Sequence, residues 1–146
     1  MAMTYEGTLK AYIDRILSPY SYPVGDDYNI DTILEKCENM LKKLFSKINT
    51  KGLEALTKLE LYFICACFYR KMNDIYTEKF YNTDEFKKDI TKTSKILDIL
   101  DESYANCTRS KFYYDSYDGP EDKSELIDIV KSQINNYRSL NNYIDK

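Results

Sequence analysis

An amphipathic repeat between residues 30 and 48 constrains the fold of this chain more than any other feature of its sequence. Apolar side chains recur there every three or four positions, with lysine and glutamate between them: Ile30, Ile33, Leu34, Cys37, Leu41, Leu44, Phe45 and Ile48. This spacing places them on one face of an α-helix. Asn29 or Asp31 can cap the start of the helix, and residues 49–52 supply a stop signal. The repeat predicts a long helix whose apolar face needs a partner.

Four further segments show helical periodicity. The first extends from Leu9 to Leu17 and ends at Ser18-Pro19. The other three follow N-terminal capping signals: Thr57 with Glu60, Thr83 with Asp84 and Glu85, and Asp122 with Glu125. The helix after Thr83 is expected to turn one row of side chains inward: Phe86, Ile90, Thr93, Leu97 and Leu100. The last helix is expected to bury a similar row: Leu126, Val130, Ile134 or Gln133, Tyr137, Leu140 and Ile144.

The third helix has a different character. From Leu59 to Tyr69 it is apolar almost all round, which is typical of a helix packed by neighbours on several sides. After Asp101 the periodicity fades, and residues 104–118 are expected to be irregular, or to form a short strand or hairpin. A chain of 146 residues has the usual size of one domain. We therefore expect an all-α fold, a single helical domain over residues 1–146: an irregular bundle of about five helices around a central apolar helix.

The residue types that are missing exclude most catalytic chemistry. The chain contains no histidine, which removes Ser-His-Asp and Cys-His catalysis and the common zinc and di-iron ligand sets. Its four glycines are isolated, so no glycine-rich phosphate loop exists. Cys65 and Cys67 point about 200° apart on a helix and cannot bind one ion together. We expect no catalytic residue, no cofactor and no metal, and interpret the chain as not an enzyme.

Charge and hydropathy limit the partners. The formal charge is -3, from 21 basic and 24 acidic residues, which favours protein partners over direct nucleic-acid binding. The N-terminus shows no signal peptide, and the longest apolar run, Leu61 to Tyr69, is far too short to span a membrane. The four cysteines are too few for a disulfide scaffold and are interpreted as reduced core residues. These features predict a cytoplasmic protein.

Tyrosine and acidic residues occur together in two segments that the pattern assigns to loops. Tyrosine offers a large contact area with few torsions to order, and acids beside it favour a basic partner. The candidate partner-binding residues are therefore Tyr22, Asp26, Asp27, Tyr28, Tyr113, Tyr114, Asp115, Tyr117, Asp118 and Glu121. In size, acidity and lack of catalytic groups the chain resembles bacterial immunity proteins. We expect a non-catalytic inhibitor of this kind, an immunity protein or antitoxin that masks a basic site on a toxin such as a nuclease.

Two alternatives belong to other classes. A viral or phage protein could capture a host helix in an apolar groove beside the central apolar helix. A small enzyme could act with carboxylate, tyrosine and lysine groups alone. An exposed apolar groove favours the first alternative, a concave pocket with at least two convergent carboxylates of perturbed pKa favours the second, and an acidic flat patch favours the inhibitor.

Overall fold

The computed structural model describes residues 4–17, 30–109 and 122–145, and the structural statements below concern those residues. They are almost wholly helical and contain no strand: α1 (Tyr5–Leu17), α2 (Ile30–Lys51), α3 (Lys58–Lys79), α4 (Glu85–Lys88), α5 (Ile90–Arg109) and α6 (Lys123–Ile144). Two single-turn 3-10 segments, Leu53–Ala55 and Tyr81–Thr83, flank α3. Since α4 is a single turn, the predicted all-α bundle of about five helices is confirmed.

Helix α3 is the centre of the bundle. Every side chain from Leu59 to Phe68 is buried, because α1, α2, α5 and α6 all pack against this helix. Ion pairs and thiol contacts show that α2 and α5 run antiparallel to α3, whereas α1 and α6 run parallel to it. The prediction of a central apolar helix is therefore confirmed. No helix in the described part of the chain combines the length and the low charge that a membrane crossing needs.

Polar contacts at the start of α3 connect α1, α2 and α3. The predicted capping box is present, since Glu60 N donates to Thr57 Oγ1 at 3.1 Å and Thr57 N donates to Glu60 Oε1 at 2.8 Å. The Tyr5 hydroxyl of α1 donates to Glu60 Oε2 at 2.6 Å, and Lys47 Nζ of α2 lies 3.8 Å from Glu60 Oε1. Burial raises the pKa of Glu60, but these hydrogen bonds and the lysine charge outweigh it and hold the pKa below its ordinary value. Glu60 is thus a buried, ionised link between α1, α2 and α3.

The fourth predicted helix is divided in two. Helix α4 ends at Lys88, Asp89 has an extended backbone, and α5 begins at Ile90. The Asp89 carboxylate accepts the backbone N–H of Lys92 at 3.0 Å, which caps the first turn of α5. The prediction of one continuous helix is wrong because Asp89 acts as a second N-cap and not as a charge on a helix surface. The rotation of α5 about its own axis is therefore independent of α4.

Two predicted caps differ in detail. The Thr83 hydroxyl donates backward to the Phe80 carbonyl at 2.9 Å, so Thr83 does not cap the following helix. Asp122 is the N-cap of α6, but its carboxylate accepts from Ser124 N at 2.9 Å, and Glu125 N reaches only the Asp122 carbonyl. Helix α6 still begins at the predicted cap, because the Asp122 carboxylate satisfies one of its free N–H groups, whereas α4 begins at Glu85 without a side-chain cap.

Helix α5 continues well past Asp101, so the expectation of irregular structure is wrong for residues 104–109. Its last turns bury the polar side chain of Asn106, whose Nδ2 donates to Gln133 Oε1 of α6 at 3.0 Å, and Gln133 Nε2 in turn donates to the Cys65 carbonyl of α3 at 3.0 Å. The apolar period fades there because this part of the helix interface is polar. Of the two alternatives in α6, Gln133 is fully buried and Ile134 is half-buried. Residues 110–118 of the expected irregular segment lie outside the described residues.

Candidate protein-interaction surfaces

The ten partner-binding residues predicted from the sequence all lie outside the described residues, in segments 18–29 and 110–121. The helix ends that flank these segments are described. Ile16 and Leu34 lie beside Asp74, near the C-terminus of α3. Cys107 accepts a hydrogen bond from Tyr62, near the N-terminus of α3. Since α3 is about 33 Å long, the two segments are attached at opposite ends of the bundle.

A row of exposed apolar side chains runs along α5. Ile90 is 80% exposed, Leu97 41% and Tyr104 55%. They are spaced seven residues apart, which is two helical turns with a drift of only about 20°, so they form one line about 21 Å long. These residues, called the α5 ridge below, account for three of the five large apolar side chains that are exposed within the described ranges.

The prediction that Ile90 and Leu97 face the core is wrong. The buried face of α5 consists of residues spaced three or four apart in another register: Ile96, Leu100, Ser103 and Cys107. This register follows from the new start of the helix after Asp89. The seven-residue spacing of the ridge is visible in the sequence, but periodicity alone does not tell an exposed row from a buried one.

Two carboxylates border the α5 ridge. Asp98 and Asp101 are exposed, and neither has an ion-pair partner among the described residues. At about 100° per residue they lie on the same side of Leu97, within roughly a quarter of a turn. The lysines of α5 lie elsewhere, because Lys92 Nζ is 5.7 Å from the Phe80 ring and Lys95 Nζ is 5.7 Å from the Tyr143 ring. Among the described residues of α5, carboxylates and not lysines therefore border the ridge.

Aromatic rings support both ends of the α5 ridge. At the C-terminal end the Tyr104 ring lies 5.7 Å from that of Tyr69, and burial raises the pKa of Tyr69, which keeps its hydroxyl protonated. Before the N-terminal end the exposed Tyr81 ring stacks on Phe86 at 4.7 Å. The Thr93 hydroxyl of α5 donates to the Phe86 carbonyl at 2.8 Å, so this stack is fixed to the helix.

An open groove of about 410 Å³ lies on the other side of the bundle, between α2 and α6. Its floor consists of Leu41, Phe45, Phe68 and Tyr137. The Phe68 ring meets Phe45 at 5.9 Å and Tyr137 at 5.1 Å, in both cases edge to face. The groove exists because α2 and α6 both pack against α3 but do not meet over Phe68. This surface is called the α2–α6 groove below.

The rim of the α2–α6 groove is basic. Lys71 Nζ and Glu38 Oε2 form an ion pair at 2.8 Å, so these two charges offset each other. Lys42 is exposed and has no ion-pair partner among the residues that the structure describes. The charged residues that line the groove are therefore two lysines and one carboxylate, with a net charge of +1 from Lys42. The groove is thus apolar at its floor and weakly positive at its rim.

A smaller recess of about 140 Å³ contains two thiols and two carboxylates. Burial raises the pKa of Cys37 to about 12 and raises that of Cys67 well above its ordinary value, so both thiols stay protonated and are poor nucleophiles. The carboxylates are ion-paired, Glu38 with Lys71 at 2.8 Å and Asp74 with Arg70 at 3.2 Å. This recess therefore presents paired charges and protonated thiols.

The four cysteines are buried, and the two on α3 face different neighbours. Cys65 Sγ lies 3.8 Å from Cys107 Sγ of α5, whereas Cys67 lines the recess with Cys37 of α2. Within the described ranges, no three side chains of the metal-binding types come together.

Comparison with protein-family models, with curated proteins and with solved structures gives no match to this chain. The α5 ridge and the α2–α6 groove are therefore weighed by their geometry and charge. The sequence suggests a groove beside the central apolar helix only as an alternative and does not locate it, because its position depends on how far apart two helices lie on a third. The floor residues Leu41, Phe45, Phe68 and Tyr137 all belong to apolar rows that the sequence shows, but those rows do not tell which members stay uncovered.

Proposed function

We propose that this chain is a non-catalytic protein-binding protein, and that the α5 ridge with its acidic margin contacts a basic partner in the cytoplasm. One observation carries the proposal: Ile90, Leu97 and Tyr104 are exposed in a single line beside two carboxylates that have no ion-pair partner among the described residues. Isolated exposed apolar side chains are common on proteins, whereas an ordered row with a charged border is typical of an interaction site.

The energetics of the ridge suit a binding surface. Covering Ile90 and the exposed part of Leu97 would contribute roughly 2–3 kcal/mol, on the scale of the burial of single apolar side chains. Tyr104 adds contact area with few torsions to order, since its ring already lies against Tyr69. Asp98 and Asp101 would speed association with a basic surface and select against acidic ones.

The concrete form of this proposal is an inhibitor that neutralises a basic toxin, in the manner of an immunity protein or antitoxin. The chain continues from the C-terminus of α5 directly into the segment with Tyr113, Tyr114, Asp115, Tyr117, Asp118 and Glu121. A nuclease active site is basic because it binds phosphate groups, so carboxylates can take the place of the substrate there. Ridge and segment together would supply apolar anchors and negative charge to such a site.

Affinity capture with three purified forms tests the proposal. The forms are wild type, a ridge variant with Asp98→Lys and Asp101→Lys, and a control with Asp128→Lys and Asp145→Lys, which changes an exposed acid of α6 and its exposed C-cap by the same charge. We expect wild type and control to retain one basic protein, and the ridge variant to bind it about ten- to a hundredfold more weakly. Co-expression should show that wild type and control, but not the ridge variant, suppress the activity of that protein.

Two outcomes would count against this function. Equal retention by the ridge variant and the control would show that the ridge is not the contact surface. Absence of any basic protein from all three captures would contradict the binding of a basic partner. A separate variant with Asp115→Lys, Asp118→Lys and Glu121→Lys tests whether the acidic segment contributes to the same contact.

A second candidate function is the capture of a helix from another protein, as expected for a viral or phage host-modulating bundle. The α2–α6 groove is the observation that favours it, because it lies beside the central apolar helix and has an aromatic floor. Helix-binding grooves use apolar side chains in this way, with polar residues at the rim.

A further inference from the structure

The charge of the α2–α6 groove specifies the helix that it can hold. We infer that the groove binds an amphipathic helix with acidic flanks, supplied by a partner protein. This inference rests on the proposed protein-binding function, in its helix-capture form, and adds the charge of the captured helix.

The dimensions of the groove suit a helix. Its α2 wall extends from Glu38 to Asn49, about 16 Å or three helical turns. An amphipathic helix presents apolar side chains at positions i, i+3 or i+4, and i+7, over about 10 Å. Two or three such side chains could contact Phe45, Phe68 and Tyr137, whose rings form a continuous edge-to-face row across the floor.

The rim selects the sign of the flanking charge. A carboxylate on the captured helix would meet Lys42, which has no ion-pair partner within the described part of the chain, and could share Lys71 with Glu38. A lysine at the same position would meet the charge of Lys42, and the one carboxylate of the lining, Glu38, is already paired with Lys71. The groove therefore favours a partner opposite in charge to the partner of the α5 ridge.

Two synthetic peptides provide the probes for this inference. Each is a helix of about 14 residues, roughly 21 Å long, with the same leucine stripe and with either glutamate or lysine at every flanking position. Fluorescence anisotropy would measure the binding of each peptide to the whole chain at low salt. We expect the glutamate peptide to bind at least about tenfold more tightly, and the difference to shrink as salt is added.

A pair of matched variants locates the binding site. Lys42→Glu reverses a charge on the rim, while Lys36→Glu reverses an exposed charge on the same helix outside the groove. We expect Lys42→Glu to weaken the glutamate peptide about three- to tenfold and Lys36→Glu to change it less than about twofold. Circular dichroism should show the same helix content for both variants, because both lysines are exposed.

The possible negative results distinguish the charge of the captured helix from helix capture itself. If the lysine peptide binds as well or better, the acidic assignment is overturned while helix capture stands. If neither peptide binds, helix capture itself is overturned, and the ridge capture experiment remains a separate measurement. Sedimentation of the chain alone completes the test. If the chain self-associates, and both Lys42→Glu and Asp101→Lys abolish this self-association, the occupant of the groove is the acidic α5 ridge of a second copy. That result would overturn the inference of a separate partner protein.

Discussion

The α5 ridge and the α2–α6 groove are both apolar surfaces, but they arise in different ways. The ridge lies on one helix and is produced by the phase with which that helix starts after Asp89. The groove has no helix of its own and is produced by the distance between α2 and α6 over Phe68. Their borders also differ in sign, since Asp98 and Asp101 flank the ridge and lysines flank the groove. One small bundle thus presents two apolar surfaces whose borders carry opposite charges.

This difference shows which kinds of site a sequence can reveal. The three ridge residues recur at a constant spacing, so the row can be found once the phase of one helix is known. The groove requires three helices to be placed, and no local pattern contains that information. A single structural parameter, the rotation of α5, therefore decides whether Ile90 and Leu97 form a core or a binding surface.

The largest predicted effect tests that rotation directly. Leu100 is buried and Leu97 is 41% exposed, although both belong to the same predicted inward row. Leu100→Ala should lower the free energy of unfolding by about 2–4 kcal/mol, whereas Leu97→Ala should lower it by less than about 1 kcal/mol. Urea denaturation measures both. Equal losses would mean that α5 is rotated towards the sequence-predicted face and that the ridge does not exist.

The polar contact between α5 and α6 should have a somewhat smaller effect. Gln133→Leu removes the side-chain amide that accepts from Asn106 and donates to the Cys65 carbonyl, so these two buried groups lose their hydrogen bonds to residue 133. We expect the variant to be about 1.5–3 kcal/mol less stable in urea. The control is Asn135→Leu on the exposed side of the same helix, which should change stability by less than about 0.5 kcal/mol. A neutral Gln133→Leu would show that apolar packing alone sets the orientation of α5.

Much of the fold follows from the sequence, because amphipathic helices carry their own inward face. The long stripe of α2, the apolar run of α3 and the Thr57–Glu60 capping box all predict what the structure contains. The prediction fails in α5, where an interior aspartate starts a new helix and the buried side chains include Ser103 and Asn106. In the amino-acid sequence, polar residues that pair across helices cannot be distinguished from surface residues.

The candidate sites were less predictable than the fold. Tyrosine and aspartate in segments 18–29 and 110–121 predict binding residues that lie outside the described ranges, so they stay a prediction. The ridge and the groove depend on helix rotation and helix separation, which neighbouring helices set. Composition restricts the chemistry of the chain, and only the packing shows where an apolar surface is left uncovered.

The ionised carboxylate of Glu60 should make the stability of the fold depend on pH. Its pKa in the folded chain is held below the ordinary value, so its contribution to stability is complete above that value and is lost as the pH falls through the folded pKa. Glu60→Gln should cost about 1–2 kcal/mol at neutral pH and should flatten the loss of stability between about pH 5 and pH 3. Thermal melts across this range measure both effects.

The same variant bears on the two surfaces. Glu60 pairs with Lys47 of α2, the helix that forms one wall of the groove, and its hydrogen bonds and ion pair among the described residues involve α1, α2 and the start of α3. Glutamate-peptide binding to the groove should therefore weaken more than capture through the ridge. An equal effect on both surfaces would point to a general loss of folded protein and not to a local change in α2.

The smallest effect on stability is expected for Glu38→Gln, a substitution that should nevertheless strengthen binding in the groove. Glu38 is partly exposed and pairs with Lys71 at the rim, and ion pairs of this kind contribute little in water. Glu38→Gln should change the free energy of unfolding by less than about 0.5 kcal/mol. It also removes the only carboxylate that lines the groove among the described residues, so the glutamate peptide should bind about two- to threefold more tightly. Unchanged or weaker binding in anisotropy titrations would mean that Glu38 orders Lys71 for the partner, and that the pair acts as one unit.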